Sequence, residues 1–381
     1  MKKILIMYAT FGNGHRAIAK YIEEYFKSRD EEVEIKNIDI LSYITPLINK
    51  ISTKVSNKMI LSSNPLVWGL VYKYFDHKVT TFGSYELFTK IFDTNKLKEE
   101  IIAFNPDLTI STHFFASTCV SRYKKKKLIN TKLITIITDY QSHELWLKNS
   151  KIEDALIVAT KDEKKEMVKK GVEKSKIKIY GIPISNRFNK EYDKNAILEK
   201  YSLPSNKPVY LFFGGGGSGS KTSLPYLKKI IKLNANANFI YVAGNNKKLL
   251  VKAKKMIQKY NAYNIRAFGF VTNIPELMTI SDAVITKPGG ITVTECLTLN
   301  KPMILINKTA GHEKGNFKYL VKRGYALNGS SLRKFTKVME SLEEDNSKIK
   351  KAHEKMLKNK DNQDSMQKLY KLSEELLNCK K

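Results

Sequence analysis

Val209-Tyr210-Leu211-Phe212-Phe213 runs straight into Gly214-Gly215-Gly216-Gly217-Ser218-Gly219-Ser220, and a helix follows. An apolar run closed by glycines reads as a strand buried on both faces, as in a parallel sheet whose crossovers are helices. The same order opens the chain. Residues 3–8 form an apolar strand, Thr10-Phe11-Gly12-Asn13-Gly14 a turn, and a helix runs from about Arg16 to Ser28 with Ile18, Ile22, Tyr25 and Phe26 on one face. Residues 33–38 alternate as a second strand, and apolar runs recur at 108–110, 133–137, 155–159 and 177–180. After the glycine run come 239–243, 283–286 and 303–306. Strands alternating with helices predict an α/β fold of two Rossmann-like domains facing a central cleft, residues 1–190 and 191–381. The proline-marked stretch 183–208 reads as the linker region. From about residue 347 the chain is helical and Lys-rich, and it is expected to pack across both halves, its last helix crossing back to the first.

The 381 residues carry 67 Lys+Arg against 37 Asp+Glu, a formal net charge of +30. At 42% hydrophobic and 10% aromatic residues, both halves can build cores, which excludes wholesale disorder. Three widely spaced cysteines, Cys119, Cys296 and Cys379, argue against a disulfide scaffold or a Cys-based zinc site and fit a reducing compartment. The excess charge is +12 in residues 1–190 and +18 in 191–381. A globular chain this basic seeks nucleic acid, anionic lipid or phosphorylated ligands, unless its lysines are merely solvated. No run approaches the ~20 apolar residues of a membrane span. Met1–Tyr8 leads into Gly12-Asn13-Gly14-His15 rather than a cleavage site, so the chain is expected to be cytoplasmic and peripheral to a membrane.

Thr286-Lys287-Pro288-Gly289-Gly290-Ile291-Thr292-Val293-Thr294-Glu295 is the most informative motif. Glycines let backbone N–H groups approach a phosphate, and the helix start adds partial positive charge. Glu295, about one and a half turns on, is placed either toward ribose hydroxyls or simply on the surface. The run containing Gly214, Gly215 and Gly216 is a second phosphate-loop candidate. It is no Walker A loop, because Lys221-Thr222 follows Ser220. In the first half, His15 stands at the mouth of a strand–helix turn, where a neutral imidazole can take a proton from an alcohol or else cap the helix. Asp139, in Thr138-Asp139-Tyr140-Gln141-Ser142-His143-Glu144-Leu145-Trp146, is a base or an orienting group, with Trp146 an apolar wall. A metal site is discounted, since neither a His-Glu-x-x-His run, paired carboxylates nor an Asp-x-Asp motif accompanies these residues. Residues 41–80 combine helically spaced apolar residues, a face bearing Lys50, Lys54 and Lys58, and an apolar tip around Trp68. They suit either an anionic membrane surface or a core-packed helix pair. Lys124, Lys125, Lys126 and Lys127 add a second basic cluster.

With these segments assembled, the chain resembles the processive diacylglycerol glucosyltransferases and plant monogalactosyldiacylglycerol synthases. The shared motifs are Gly12-Asn13-Gly14-His15, Thr138-Asp139 with His143 and Trp146, Gly181-Ile182-Pro183, Gly269-Phe270-Val271, Thr286–Gly290 with Glu295, and Gly311-x-Glu313-x-x-Asn316. The resemblance implies a GT-B fold, with acceptor bound by the first domain and nucleotide sugar by the second. It implies inverting transfer from a UDP-sugar to diacylglycerol, with no metal or other cofactor. It places the general base at His15, with Asp139 as runner-up, and the acceptor near Gly14 and Trp146. The diphosphate falls to Gly289, Gly290 and the 214–219 loop, the ribose to Glu295, and the uracil to the backbone around Phe268, Phe270 and Val271, with Lys287 counted among the nucleotide-sugar contacts. Glu313 and Asn316 face sugar hydroxyls. Where the family usually has Pro-Gly-Gln-Glu, this chain has Ala310-Gly311-His312-Glu313, and His312 at the donor-sugar position leaves glucose, galactose and another hexose open.

Two enzyme readings share the fold: a transferase to a cell-wall lipid carrier, and a soluble UDP-sugar epimerase, which has no use for the 41–80 segment. A nucleic-acid-binding protein rests on charge alone, without an RNP, KH or zinc-finger pattern, so no specific nucleic acid is expected.

Overall fold

The computed structural model describes residues 1–10, 13–43, 93–215, 223–233, 235–306, 313–359 and 364–378. Lys50, Lys54 and Trp68 of the expected membrane segment, Gly216 of the glycine run, and His312 lie outside the described residues. The chain forms two compact units, Met1–Ser185 with Asp361–Lys381, and Asn186–Lys360.

The first unit is built on β1 (Lys3–Tyr8), β2 (Glu34–Asp39), β3 (Leu108–Ser111), β4 (Lys132–Ile136), β5 (Ala155–Val158) and β6 (Ile177–Ile179). All pairings are parallel, in the order β2-β1-β3-β4-β5-β6. Ile4, Leu5, Ile6 and Met7 point alternately to opposite faces, yet none exceeds 2% exposure, so both faces of the sheet are covered. The first helix, Asn13–Lys27, begins inside the predicted turn and places Gly14 and His15 in its first turn. It buries Ile18, Ile22, Tyr25 and Phe26, the face marked by its spacing. The terminal helix Ser365–Asn378 packs on it, with the Tyr370 ring 5.1 Å from Phe26 and 6.0 Å from Tyr25. Lys2 Nζ meets Glu374 Oε2 at 2.7 Å in the same contact.

The second unit holds β7 (Val209–Phe213), β8 (Asn238–Val242), β9 (Ile265–Phe268), β10 (Ala283–Thr286), β11 (Met303–Ile306) and β12 (Ala326–Gly329). They pair in parallel in the order β12-β11-β10-β7-β8-β9. The edge strands β9 and β12 escape the apolar-run reading because each is partly solvated: only Ile265 of β9 is buried. The stretch read as a linker is structured and, from Asn186 on, belongs to this unit. It contains the helix Lys194–Lys200, tied to the helix Ile274–Ile280 by Lys200 and Glu276. Cys119 and Cys296 are buried free thiols, and no helix among the described residues is long and apolar enough to cross a membrane.

Each sheet contains one point where the chain reverses its direction of growth, and ligands of open α/β sheets bind outside the carboxyl ends of the strands there. In the first unit it lies between β1 and β3, in the second between β7 and β10.

Candidate active site

His15 follows β1 and the Thr112-His113 turn follows β3, so the two meet at the first reversal point. His15 Nδ1 lies 2.7 Å from the Thr112 carbonyl oxygen. A carbonyl can only accept, so Nδ1 carries the proton, and the neutral ring keeps its basic lone pair on Nε2. His113 is fixed the opposite way. Its Nδ1 accepts the Phe115 N–H at 3.2 Å as the cap of the helix Phe114–Lys125, which puts the ring proton on Nε2. The two imidazoles stand edge to face with centroids 4.9 Å apart. Behind them Phe114, His143 and Trp146 form an aromatic wall, with Phe114 4.3 Å from His113 and 5.5 Å from Trp146. Trp146 is buried, and its Nε1 has no hydrogen-bond partner among the described residues.

His113 escaped the sequence reading. Its signal is the strand-end position in Ile110-Ser111-Thr112-His113, the position that singled out His15, but no glycine marks the turn. Asp139 is buried past the end of β4, two strand positions from β1, or about 10 Å at ordinary interstrand spacing. Its charge acts on Glu163, which burial, aided by Asp139, holds well above the usual carboxylate range.

At the second reversal point the turn after β10 leads into the helix Gly290–Thr298, capped by Gly289 with no side chain over the helix start. The turn is braced from the helix Glu313–Arg323. Lys287 Nζ lies 2.9 Å from Glu313 Oε1, and Asn316 Nδ2 donates to the Pro288 carbonyl at 3.0 Å. Asn316, placed at the donor sugar by the resemblance, is wholly buried in this bracing role. Glu313 is also buried, whereas the Lys287 side chain is 58% exposed, so the pair adds little stability and its worth lies in fixing a cation at the turn. The end of β7 supplies the other glycines. A Cβ on Gly214 would overlap the Tyr241 hydroxyl, and Gly215 has φ +112°, where glycine is favoured.

Glu295 is buried on the helix Gly290–Thr298, not on the surface. Burial pushes its carboxyl up to about 8, with Arg187 opposing. A carboxyl held neutral both donates and accepts, which suits a pair of hydroxyls. Phe268 ends β9, its ring 5.5 Å from Tyr201, while Phe270 is 66% exposed and Val271 half-buried. Among the described residues no group of three or more His, Cys, Asp or Glu side chains is placed to hold a metal ion.

Two parallel Rossmann-like sheets, each presenting chemistry-bearing turns at its reversal point, define the GT-B architecture of sugar-nucleotide enzymes. MurG from Acinetobacter baumannii matches it with a TM-score of 0.60 over 98% of this chain and 99% of that one, at 14% identity. A UDP-GlcNAc 2-epimerase from Neisseria meningitidis bound to UDP-GlcNAc gives 0.59 over 98% and 100%, at 16% identity. Sequence narrows the class. Residues 15–184 match the monogalactosyldiacylglycerol (MGDG) synthase family model, and residues 210–374 match the glycosyltransferase family 28 C-terminal domain. A processive diacylglycerol beta-glucosyltransferase from Bacillus pumilus is 32% identical over 329 residues, 86% of this chain and 82% of that enzyme. The chain belongs to this diacylglycerol glucosyltransferase family, within glycosyltransferase family 28.

Three outcomes follow from this geometry. Nitrogen-15 spectra of the neutral histidines should show His15 as the Nδ1–H tautomer and His113 as the Nε2–H tautomer. The reverse assignment for either ring would contradict the two hydrogen bonds. Gly289→Ala should fold normally, because φ is −76° and the added Cβ stays 3.9 Å from Glu313 Oε1. Calorimetric titration of this variant with UDP then tests whether the helix start holds the diphosphate: that role requires binding weakened roughly tenfold or more, the equivalent of about 1.4 kcal/mol, and unchanged affinity would remove it. For Glu295, the folded-state value of about 8 exceeds the ordinary 4.5, so unfolding releases a proton across that window. Its contribution to stability is full below the lower value and is lost as pH rises toward the upper one. Glu295→Gln should therefore gain in melting temperature relative to the wild type between about pH 5 and pH 8.

Proposed function

We propose that this enzyme transfers a hexose, glucose or galactose, from a UDP-sugar to diacylglycerol with inversion, working as a peripheral protein at the inner face of the cell membrane. The reading rests most heavily on one observation: the Thr112 carbonyl bond that holds His15 as the Nδ1–H tautomer at the first reversal point. Nε2 of His15 accepts the proton of the diacylglycerol hydroxyl as its oxygen bonds to the anomeric carbon. The bond from that carbon to the diphosphate breaks on the opposite side, and UDP leaves with the electron pair. The developing charge is met by the backbone N–H groups that start the helix Gly290–Thr298, by Lys287 and by the glycine turn after β7, with no cofactor required. Glu295 takes the ribose and the backbone around Phe268, Phe270 and Val271 the uracil. Glu313 faces the sugar, Asn316 keeps the turn in place, and Phe114 and Trp146 line the acceptor side. Asp139 is the alternative base. Family membership supports the lipid acceptor, and the glucosyltransferase relatives support glucose as the first donor to test.

The test is incubation with UDP-glucose and UDP-galactose in parallel, with diacylglycerol in anionic vesicles, and mass analysis of the lipids. Glycolipid and UDP should appear with at least one donor; none with either sugar would overturn the reading. His15→Ala should lose about 10²–10⁴-fold in turnover while retaining UDP binding. Wild-type turnover in that variant would move the base to Asp139.

A further inference from the structure

We propose that the second unit carries its own contact surface for anionic lipid, on the helix Lys247–Lys259 beside the edge strand β9. The proposal extends the preceding reading, since it takes the acceptor to lie in a bilayer. Between Glu199 and Glu276 the sequence has no acidic residue and thirteen Lys or Arg. It is the longest stretch of the chain without a carboxylate, which sets the segment apart from general lysine richness. The fold gathers the segment in one place. It spans β7, β8 and β9, consecutive at one end of the second sheet, with the helices Leu224–Leu233 and Lys247–Lys259 crossing between them.

The helix Lys247–Lys259 buries Leu249 and Ala253 and turns a continuous face outward. At about 100° per residue, Lys248, Lys252, Lys255 and Lys259 fall within roughly 60° of arc, so all four ammonium groups line one exposed stripe. None of the four has an ion-pair partner among the described residues. The stripe is not purely ionic. Val251 is 52% exposed beside it, and Tyr263, just past the end of the helix, is 76% exposed. Lysines that reach lipid phosphates, with an aliphatic and an aromatic group at the level of the headgroups, are the chemistry of an interfacial helix. The neighbouring helix extends the same sign with Lys228 and Lys232, both exposed. The surface accounts for much of the charge in the second half, which a single bound diphosphate does not require.

Sedimentation with phosphatidylglycerol-containing vesicles, against pure phosphatidylcholine vesicles, tests the proposal. The wild type should bind the anionic vesicles, and added salt should weaken binding. Lys248→Gln/Lys252→Gln/Lys255→Gln should lower the partition coefficient about a hundredfold, at roughly fivefold for each lysine near the surface. Tyr263→Ser should lower it severalfold at high salt, where the ionic part is screened. UDP affinity, read by calorimetry, should be unchanged in both variants and shows that they are folded. Wild-type vesicle binding by the triple variant overturns the proposal. So does a triple variant that loses binding to a random oligonucleotide while keeping the vesicles, which would make the stripe a nucleic-acid surface. Turnover of short-chain diacylglycerol in neutral detergent micelles separates the two claims. Its absence in the wild type overturns the transferase reading, whereas its retention in the triple variant alongside lost vesicle binding is the result expected here.

Discussion

A parallel sheet leaves the chain no hairpin route from one strand to the next. Every strand must be reached by a crossover from its far end, and the right-handedness of that crossover places each helix on a face determined by the direction of growth. When growth reverses, as between β1 and β3 and between β7 and β10, successive helices go to opposite faces and the strand ends at the reversal stay uncovered by either. The paired histidines of the first unit and the glycine turn of the second both occupy such ends. The same constraint explains why the core strands are apolar throughout: a sheet covered on both faces has no solvent side on which to put polar residues.

At the reversal points the chemistry is arranged by short, directional bonds, with little help from mobile charge. The turn between β3 and its helix gives a carbonyl to one imidazole and, through its own cap, commits the lone pair of the other. One backbone corner thus sets two tautomers, one ring presenting a base at Nε2 and its neighbour an N–H. In the second unit the buried Asn316 amide and the Glu313 carboxylate hold the turn through Pro288 and Lys287, leaving the start of the helix without a side-chain cap. An uncapped helix start with a cation beside it is an arrangement that favours an anion.

Much of this was legible along the chain. The central strands showed as unbroken apolar runs, and the edge strands β9 and β12 did not, because partial solvation dilutes the pattern. His15 and the Lys287–Gly290 turn stood out because strand, glycine and helix are adjacent in sequence. The helix Lys194–Lys200 hid inside a stretch whose prolines suggested a linker, its apolar residues being too few to mark a face without the helix they pack on. The Lys287–Glu313 pair and the Asn316 brace were invisible as contacts, although all three side chains stood in motifs that suggested other roles.

Sequence by itself determined the class of fold, its two-part organisation and the family, and it singled out His15 as a candidate. All of these depend on residue order over a few turns or on motifs repeated in register. Tertiary structure alone decided that His113 joins His15, that Glu295 is buried and held neutral, and that the terminal helix rests on Asn13–Lys27. Those outcomes depend on which strand lies beside which. His15 and Thr112 are 97 residues apart in sequence, and only the parallel pairing of β1 with β3 brings one to within a hydrogen bond of the other.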